Sequence, residues 1–591
     1  MLEINMNSFP RTVSAVILSF LVLVFMVKGV IQQIPSTYPN MHLLARTLII
    51  IFASAIYVVV INWNKVQRYP LLVICLLSIF IVAVLYIPFR STPFGLNGIW
   101  GDAWFVTSSI TKFSQNWSFV DFTYKGLPSF YPPLYFYVLG KISLFLGKAP
   151  YLMVRYGVFL TAFLLPFAVF SLWRQIVSRE AAIIITFLNF LVFNGLLLYK
   201  PYEFISLSLF VPWWLYYVER VSGESIKGSR VFIGGVIGAL LFQTYYYYFF
   251  IGGLSLILNI LIHLGAGESA RKIIREFVLK IYVLIVSAAL SLPYWGPLLY
   301  SLIKFGSEPL QNRWFTPGHI NFYIPFFNLN FSGVILLGGF LYLIFVNNKT
   351  TSSLKLLLAA CYIWYLVGYV MIIAFNLPIL HVKVNQMINT VLMPAAGLAI
   401  WSLLKEAKVR KIIKNTGVAF LTAAFILFTL QTYITGVERN KLLENANKQK
   451  VNVKLAKTFN KPEYKGKVFL TSNFELLAYA PVYAFIVNNA HYSHPAARFH
   501  ERLSFLESLS KIDNPEEFAR KLANNKYSKI DYIWLNYKDG KYHLNISDDN
   551  FPNGGKSVHI SFDGKLFSSQ YFERIEDNGY VLFKLNPESG R

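Results

Sequence analysis

The segment from Leu71 to Phe89, LLVICLLSIFIVAVLYIPF, contains no charged residue and is long enough to cross the hydrocarbon core of a bilayer. About a dozen residues later the chain reads Gly101-Asp102-Ala103-Trp104-Phe105. This order places a carboxylate in a polar loop that has just left the membrane. Asp102 is therefore predicted to lie at the rim of the bilayer, and it is the first candidate for a catalytic group.

The composition extends this membrane pattern to most of the chain. Hydrophobic residues make up 55% of the 591 residues, aromatic residues 17% and charged residues 14%, with a mean hydropathy of +0.49. These values are typical of an integral membrane protein. A window of about twenty residues predicts a multi-span α-helical membrane protein with about thirteen transmembrane helices. Their centres lie near residues 21, 52, 79, 163, 189, 211, 237, 257, 288, 336, 364, 395 and 425. The seventh and eighth are separated by a turn placed at 243–248, although residues 231–263 could instead form one span and a re-entrant piece.

Lysine and arginine alternate between the short loops in a way that predicts orientation. With a cytoplasmic N-terminus, every short inner loop carries at least two of these cations, as the positive-inside rule requires. They are Lys65/Arg68, Arg174/Arg179, Arg220/Lys227/Arg230, Arg271/Lys272/Arg275, Lys349/Lys355 and Lys405/Lys408/Arg410/Lys411/Lys414. The net charge of +25 is therefore assigned to topology and anionic headgroups, and no nucleic-acid partner is predicted. An odd number of spans places the C-terminal region outside the cell membrane, on the side of Asp102.

Two polar parts interrupt the helical pattern. Residues 1–439 are predicted to form the polytopic membrane domain, whose large outer loop, 89–150, contains helices near 102–113 and 133–146 that lie along the membrane surface. Residues 440–591 shift to Asn, Lys, Asp and Glu and predict a small extracytoplasmic α/β domain. Its strands are predicted near 468–471, 532–536, 558–562 and 580–584, and its helices near 475–486, 496–509 and 515–523.

Asp102 has two readings from the sequence. A carboxylate at the membrane rim could act as a general base, taking the proton of a hydroxyl as its oxygen attacks a sugar carbon. Alternatively, Asp102 could cap the helix that starts at Ala103 by accepting backbone N–H bonds. The two roles can coexist. The nearby Tyr131-Pro132-Pro133 is read first as a fixed helix entry and second as a substrate contact.

Other charged residues of the outer side are scarce and so become site candidates. Lys200 and Glu203, which flank Tyr202, form either a solvated connection between two spans or a second acid and phosphate contact. The remaining candidates are Glu308, Arg313 and His319 after the ninth span, and His381 and Lys383 after the eleventh. Fixed cations stabilise the charge that develops on a phosphate leaving group. The alternative for each is a side chain that extends towards the headgroups.

The segment His491-Tyr492-Ser493-His494-Pro495 continues to Arg498, His500 and Arg502 and concentrates polar groups in the C-terminal region. Its histidine spacing matches no zinc signature, so carbohydrate contacts or docking onto the membrane half are the favoured roles. The sequence also contains no P-loop, GxGxxG, nucleophile elbow or HExxH motif. ATP-driven transport and serine or zinc hydrolysis therefore lack their usual support.

These features together resemble the GT-C glycosyltransferases, which use polyprenyl-phosphate sugars. Within that class, Gly101–Phe105, the Phe130–Pro133 segment and the run from His491 through Phe499 to Arg502 look like the galactan arabinofuranosyltransferases that prime arabinan on cell-wall galactan. The resemblance implies an inverting transfer from decaprenyl-phosphate arabinofuranose to a sugar hydroxyl. It also implies that the loop aspartate, here Asp102, is the base.

The resulting hypothesis is a membrane glycosyltransferase with a polyprenyl-phosphate sugar donor, a cell-wall or cell-surface glycan acceptor and membrane lipid as partners. Asp102 is its catalytic residue; its donor phosphate contacts are Arg313, His381, Lys383 and Lys200. The predicted substrate contacts are Trp104, Phe105, Tyr131, Glu203, His319, His491, His494 and Arg498. No metal ligand is predicted, although a divalent cation near Asp102, with Asp121 as the nearest second carboxylate, stays open. The rival functions are a lipid-linked saccharide flippase, which needs ionisable residues inside its spans, and a membrane-anchored scaffold.

Overall fold

The membrane half of the protein, residues 8–405, is built from helices. The computed structural model describes residues 8–35, 38–61, 69–192, 194–221, 228–310, 317–327, 330–405 and 441–586. The helices of the membrane half are α1 Ser8–Phe25, α2 Tyr38–Ile61, α3 Pro70–Phe89, α4 Asp102–Gln115, α5 Leu134–Leu146, α6 Met153–Trp173, α7 Arg179–Val192, α8 Asn194–Tyr199, α9 Pro201–Trp213, α10 Gly228–Thr244, α11 Tyr247–Gly265, α12 Ala270–Leu290, α13 Leu292–Phe305, α14 Phe331–Phe345, α15 Lys349–Phe375 and α16 Val384–Lys405.

The predicted span positions agree with these helices. Every predicted centre from residue 21 to residue 395 lies within a helix, and the turn predicted at 243–248 contains the break between α10 and α11, at residues 245–246. Six helices in the described part of the chain are long and apolar enough to cross a bilayer, so a count of thirteen is not confirmed. The thirteenth predicted centre, near residue 425, lies outside the described residues.

Large apolar side chains cover the outside of the membrane half. Phe25, Phe345 and Ile373 are 71%, 80% and 83% exposed, each on a helix of the membrane half. Exposure on this scale is unfavourable in water and favourable against lipid. The chain is therefore a multi-pass membrane protein.

Two charged side chains in the described part of the membrane half, Lys280 and Arg155, have polar partners within the protein. The ammonium of Lys280 lies 2.6 Å from a carboxylate oxygen of Glu219, and both side chains are about nine-tenths buried. Arg155 donates to the carbonyl oxygen of Phe89 at 3.1 Å and to that of Thr92, which satisfies carbonyl groups at the end of α3. Neither charge offers the unpaired intramembrane group that a transport pathway would use.

One of the two helices of the outer loop differs from the prediction in its surroundings. Helices α4 and α5 occupy the expected positions, but every residue of α4 from Trp104 to Ser114 is buried. A helix lying on a membrane surface would expose its polar face, so the predicted surface location of α4 is wrong. The polar residues of α4 point into protein, because Thr111 and Lys112 donate to backbone carbonyls of Ala478 and Val482.

The C-terminal domain, residues 441–586, has mixed α/β structure. Its helices are α17 Lys441–Lys448, α18 Val453–Phe459, α19 Leu476–Tyr479, α20 Phe499–Leu509 and α21 Pro515–Ala523; its strands are β1 Val468–Thr471, β2 Tyr483–Ala484, β3 Tyr532–Trp534, β4 Asn536–Lys538, β5 Lys541–Asp549, β6 Gly555–Asp563, β7 Phe572–Asp577 and β8 Tyr580–Leu585. A five-stranded sheet has the order β2-β1-β3-β8-β7, with β1 parallel to β2 and β3 and the other pairs antiparallel. The antiparallel strands β4-β5-β6 form a second sheet.

The helix predicted over 475–486 is wrong beyond Tyr479. Ala480 has an extended backbone because the proline ring of Pro481 disfavours helical dihedral angles at the preceding residue. The chain then forms β2, whose residues pair with β1. The predicted boundary at 439/440 adjoins residues 406–440, which lie outside the described part of the chain.

Candidate functional site

Asp102 is the first residue of α4 and its side chain is directed away from the helix backbone. The preceding Gly101 is the N-cap, with φ 54° and ψ −131°, a conformation that favours glycine, and no side chain caps the helix there. One carboxylate oxygen of Asp102 lies 2.7 Å from the Lys200 ammonium, and the other accepts a hydrogen bond of 3.0 Å from the Tyr492 hydroxyl. The helix-cap reading of Asp102 is therefore wrong.

Four charged side chains form a continuous series, which we call the charge chain: Asp102, Lys200, Glu203 and Lys383. Lys200 lies 3.8 Å from a carboxylate oxygen of Glu203, and the same oxygen lies 2.7 Å from the Lys383 ammonium. Two acids and two bases alternate, so the formal charges cancel. The side chain of Glu203 is 3% exposed, whereas that of Asp102 is 44% exposed. The charge chain thus runs from a buried end to an accessible end.

Local structure explains how these residues meet. Lys200 lies between α8 and α9, and Pro201 starts α9 at the position where a proline fits best. Glu203 follows in the first turn of α9, where a negative charge interacts favourably with the helix dipole. Lys383 ends the 3₁₀ turn His381–Lys383 that leads into α16. The alternative of a solvated connection at Lys200 and Glu203 is wrong, because Glu203 is buried in this ion-pair network.

The charges of the network shift the ionisation of its members outside the membrane spans. Burial alone would raise the pKa of the Asp102 carboxyl, but the Lys200 ammonium and hydrogen bonds from Lys200 and Tyr492 outweigh it and lower that pKa. Burial alone would lower the pKa of Lys200, but the charges of Glu203 and Asp102 raise it well above its usual range. Asp102 is therefore held ionised and Lys200 protonated at neutral pH.

Tyrosine rings line the neighbourhood of the charge chain. The Tyr131 ring centroid lies 5.9 Å from that of Tyr202 and 6.3 Å from that of Tyr245, and the Lys383 ammonium lies 5.7 Å from the Tyr245 ring. Aromatic faces suit both sugar rings and cations. The structure therefore brings the predicted contact Tyr131 to the site and adds Tyr202 and Tyr245.

Tyr492 is a site residue that the sequence did not single out. Its ring lies against Trp104 at 5.6 Å and stacks on Phe105 at 6.3 Å. Trp104 also donates to the carbonyl oxygen of Phe474 at 2.7 Å. Trp104 and Phe105, predicted as substrate contacts, are thus buried supports that hold Tyr492 against Asp102. The contact also shows that the outer loop and the C-terminal domain lie on the same side of the membrane.

Two of the predicted phosphate and substrate contacts are buried histidines. His381 is fully buried and its Nε2 donates to the carbonyl oxygen of His319 at 2.8 Å. A side chain at Gly368 would overlap the His381 ring, so α15 packs directly over it. His319 is 5% exposed. The predicted contact between His381 and the donor phosphate is therefore wrong. His381 instead anchors the turn that carries Lys383.

The remaining predicted contacts differ in where the structure places them. His491 lies beside Tyr492, with ring centroids 5.3 Å apart, and its charge contributes to the low pKa of Asp102. His494 is fully buried, and burial lowers its pKa to about 3, so substrate contact by His494 is wrong. Arg498 donates to the carbonyl oxygen of Phe305 at 3.5 Å, a contact between the two halves of the protein. Arg313 lies outside the described residues.

Asp121, the predicted second carboxylate, has a structural role. It is 1% exposed, and one of its oxygens accepts backbone N–H bonds from Thr123 at 2.9 Å and Tyr124 at 2.6 Å. Burial raises the pKa of Asp121 to about 7. Asp121 therefore shapes the outer loop and is directed into protein.

Comparison with known proteins identifies relatives of both halves. The sequence profile described as "Arabinofuranosyltransferase N terminal" matches residues 11–432, and "Arabinofuranosyltransferase A C terminal" matches residues 438–583. The galactan 5-O-arabinofuranosyltransferase of Mycolicibacterium smegmatis is 22% identical over 556 residues, covering 87% of this chain and 86% of the relative. That of Mycobacterium tuberculosis is 23% identical over 557 residues, covering 87% and 84%.

Solved structures give a more distant likeness. ArnT from Cupriavidus metallidurans has a TM-score of 0.47 and 11% identity, covering 83% of this chain and 98% of that one. The oligosaccharyltransferase AglB from Archaeoglobus fulgidus has a TM-score of 0.47 and 14% identity, covering 79% and 69%. These TM-scores are too low to support an argument, so the family assignment rests on the sequence-profile matches to the two halves of the chain.

The helical membrane half and the matches that cover both halves define a membrane-bound glycosyltransferase. The chain belongs to the arabinofuranosyltransferase family, and the resemblance to galactan arabinofuranosyltransferases is confirmed.

Proposed function

We propose that this protein transfers an arabinofuranosyl group from a polyprenyl-phosphate donor to a hydroxyl of cell-wall galactan, with inversion at the anomeric carbon. The observation that carries the proposal is the charge chain, which joins an accessible carboxylate to two cations at the junction of the membrane half and the C-terminal domain. The choice of galactan as the acceptor is supported by the similarity of the chain to galactan 5-O-arabinofuranosyltransferases.

Asp102 is the general base of this proposal. Its carboxylate takes the proton of the acceptor hydroxyl while that oxygen attacks the anomeric carbon and the polyprenyl phosphate departs. The Lys200 ammonium, 2.7 Å away, competes for the same carboxylate. A donor phosphate that draws Lys200 towards itself frees Asp102 to accept the proton. Donor binding therefore activates the base before the acceptor reacts.

Lys200 and Lys383 form the donor phosphate site. Both ammonium groups contact the same oxygen of Glu203, which holds them on one side of that carboxylate. Their side chains remain 27% and 25% exposed, so an incoming phosphate can reach them. Charge-assisted hydrogen bonds from two cations stabilise a phosphate leaving group. The proposal assigns the site to the outer face, with the N-terminus cytoplasmic and the C-terminal domain extracytoplasmic.

The direct experiment is transfer of labelled sugar by the purified protein. Decaprenyl-phosphate arabinofuranose and a galactan oligosaccharide are supplied in proteoliposomes, with other pentose and hexose lipids as comparisons, and with and without EDTA to decide the metal requirement. We expect labelled arabinofuranose on the acceptor. Labelled lipid that crosses the bilayer without transfer would instead support the flippase alternative.

Replacement of the Tyr492 hydroxyl tests the assigned base. The variant Tyr492→Phe removes a donor that favours the ionised form of Asp102, so the pKa of Asp102 should rise. The acidic limb of kcat/KM against pH should therefore move to higher pH. The shift should be smaller than for a fully buried hydrogen bond, because the Asp102 side chain is partly solvated.

The control for this shift is Tyr537→Phe, which removes a hydroxyl from a side chain that is 62% exposed in the same domain. Its pH profile should match that of the wild type. An unchanged acidic limb in a stable Tyr492→Phe protein would contradict the role of Asp102 as the titrating base.

A further inference from the structure

The turn that carries Lys383 begins at a residue with an unfavourable backbone conformation. Leu380, which directly precedes the 3₁₀ turn His381–Lys383, has φ 55° and ψ 30°. This left-handed region is disfavoured for residues that carry a Cβ atom. Such residues persist only where their surroundings hold them, and they are concentrated at functional sites. The contacts that hold Leu380 therefore bear on how Lys383 is placed.

Two hydrogen bonds converge on the carbonyl oxygen of Leu380. The backbone N–H of Lys383 donates to this oxygen at 2.9 Å and closes the turn. The hydroxyl of Tyr247, the first residue of α11, donates to the same oxygen at 2.9 Å. A carbonyl oxygen has two lone pairs, so both are used. Tyr247 thus contacts the very atom that fixes the backbone of Lys383.

The chemistry of its two partners fixes the direction of the Tyr247 hydroxyl. Nε1 of Trp364 on α15 lies 2.8 Å from the Tyr247 oxygen, and an indole nitrogen can only donate. The Leu380 carbonyl can only accept, so Tyr247 receives one hydrogen bond from Trp364 and gives its own proton to Leu380. The Tyr247 side chain is buried, which shields both bonds from water and strengthens them.

The same part of the chain also meets the side chain of Lys383. Tyr245 lies in the break between α10 and α11, and its ring centroid is 5.7 Å from the Lys383 ammonium. The ammonium also lies 2.7 Å from a carboxylate oxygen of Glu203. Residues 245–247 therefore contact both the backbone and the charged end of the element that carries Lys383.

We propose that Tyr247 is a positioning residue for the donor phosphate, whose hydroxyl holds the Leu380 carbonyl and thereby places the Lys383 ammonium. The inference rests on the proposed function, because it takes Lys383 as a phosphate contact. Without the hydroxyl, the turn occupies other conformations more often, and the apparent affinity for the donor falls with the competent fraction. A saturating donor selects the competent turn, so KM should change and kcat should not.

Equilibrium binding of labelled decaprenyl phosphate to the purified full-length protein tests this role. Tyr247→Phe should raise the Kd by about two- to tenfold, the range for one lost hydrogen bond. In the transfer assay the KM for the donor should rise by a similar factor, with kcat unchanged. The matched control is Tyr362→Phe on α15, which removes a hydroxyl that donates to the carbonyl oxygen of Tyr323 at 3.4 Å. This control should bind decaprenyl phosphate as the wild type does.

A double-mutant cycle with Lys383→Met decides whether Tyr247 acts through Lys383. Glu203 keeps Lys200 as a partner in this variant, so its buried carboxylate is not left without a cation. In the Lys383→Met background, Tyr247→Phe should change the Kd by less than about twofold. Fold-changes that simply multiply would overturn the inference, as would an unchanged Kd in Tyr247→Phe alone.

The cycle also separates this inference from the proposed reaction. A Lys383→Met protein with wild-type affinity would overturn the phosphate site and the role of Tyr247 together. Because the cycle is measured by binding, a protein that binds decaprenyl phosphate but transfers no sugar would contradict the proposed reaction alone. The changes in Kd would then still decide whether Tyr247 positions Lys383.

Discussion

The variant Asp102→Asn is expected to lose nearly all transfer activity while the protein stays folded. The amide keeps an oxygen for the Tyr492 hydroxyl but cannot take a proton from the acceptor. Positioned general bases contribute about 10²–10⁴-fold to rate, and the loss should fall in kcat at saturating donor. Initial rates with labelled polyprenyl-phosphate arabinofuranose and a galactan oligosaccharide measure it.

Two controls make this loss interpretable. Asp513→Asn carries the same chemical change at an exposed position of the C-terminal domain and should keep wild-type kcat. The Tm of Asp102→Asn should stay close to that of the wild type, because Lys200 retains Glu203 as a partner. A folded Asp102→Asn protein with full activity would end the assignment of Asp102 as the base.

The variant Glu203→Gln is expected to cause the largest loss of stability among single changes in the site. It removes the buried carboxylate that contacts both Lys200 and Lys383, and so leaves two cations without their shared counter-charge. Breaking a buried ion pair from one side costs about 3–5 kcal/mol. Because each lysine side chain is about a quarter exposed, we expect about 2–3 kcal/mol here. Thermal unfolding in detergent measures the change.

A double variant distinguishes lost charge balance from lost packing. In Glu203→Gln/Lys383→Met the cation nearest to Glu203 is removed as well, so much of the Tm should return. Transfer activity should remain low, because one of the two proposed phosphate contacts is gone. A double variant that is no more stable than Glu203→Gln would show that packing, and not charge, accounts for the loss.

The membrane helices were predictable because each is encoded by a run of consecutive apolar residues. An apolar run such as Leu71 to Phe89 is long enough to cross the hydrocarbon core, and this alone predicts a helix without information from the rest of the chain. All predicted span centres in the described residues lie in helices. The helix predicted over 475–486 ends at Tyr479, because Pro481 disfavours helical dihedral angles at Ala480. The burial of α4 was not predictable, since its cover comes from the C-terminal domain.

The site was predictable in part. Asp102, Lys200, Glu203 and Lys383 stood out as scarce outer charges, but the sequence did not show that they form one network. His381 and Lys383 are two residues apart, but their side chains have different surroundings. The 3₁₀ turn buries His381 and directs Lys383 to Glu203. Tyr492 lies 390 residues from its partner Asp102, a separation at which no spacing rule operates.

The contact between Tyr492 and Asp102 also has a consequence for biosynthesis. The loop that carries Asp102 is synthesised before most of the predicted spans, whereas Tyr492 is synthesised after them. The hydrogen bond from Tyr492 to the Asp102 carboxylate can therefore form only after the C-terminal domain has reached the same face of the membrane. A nascent chain that has not yet reached Tyr492 would therefore hold only part of the proposed catalytic centre.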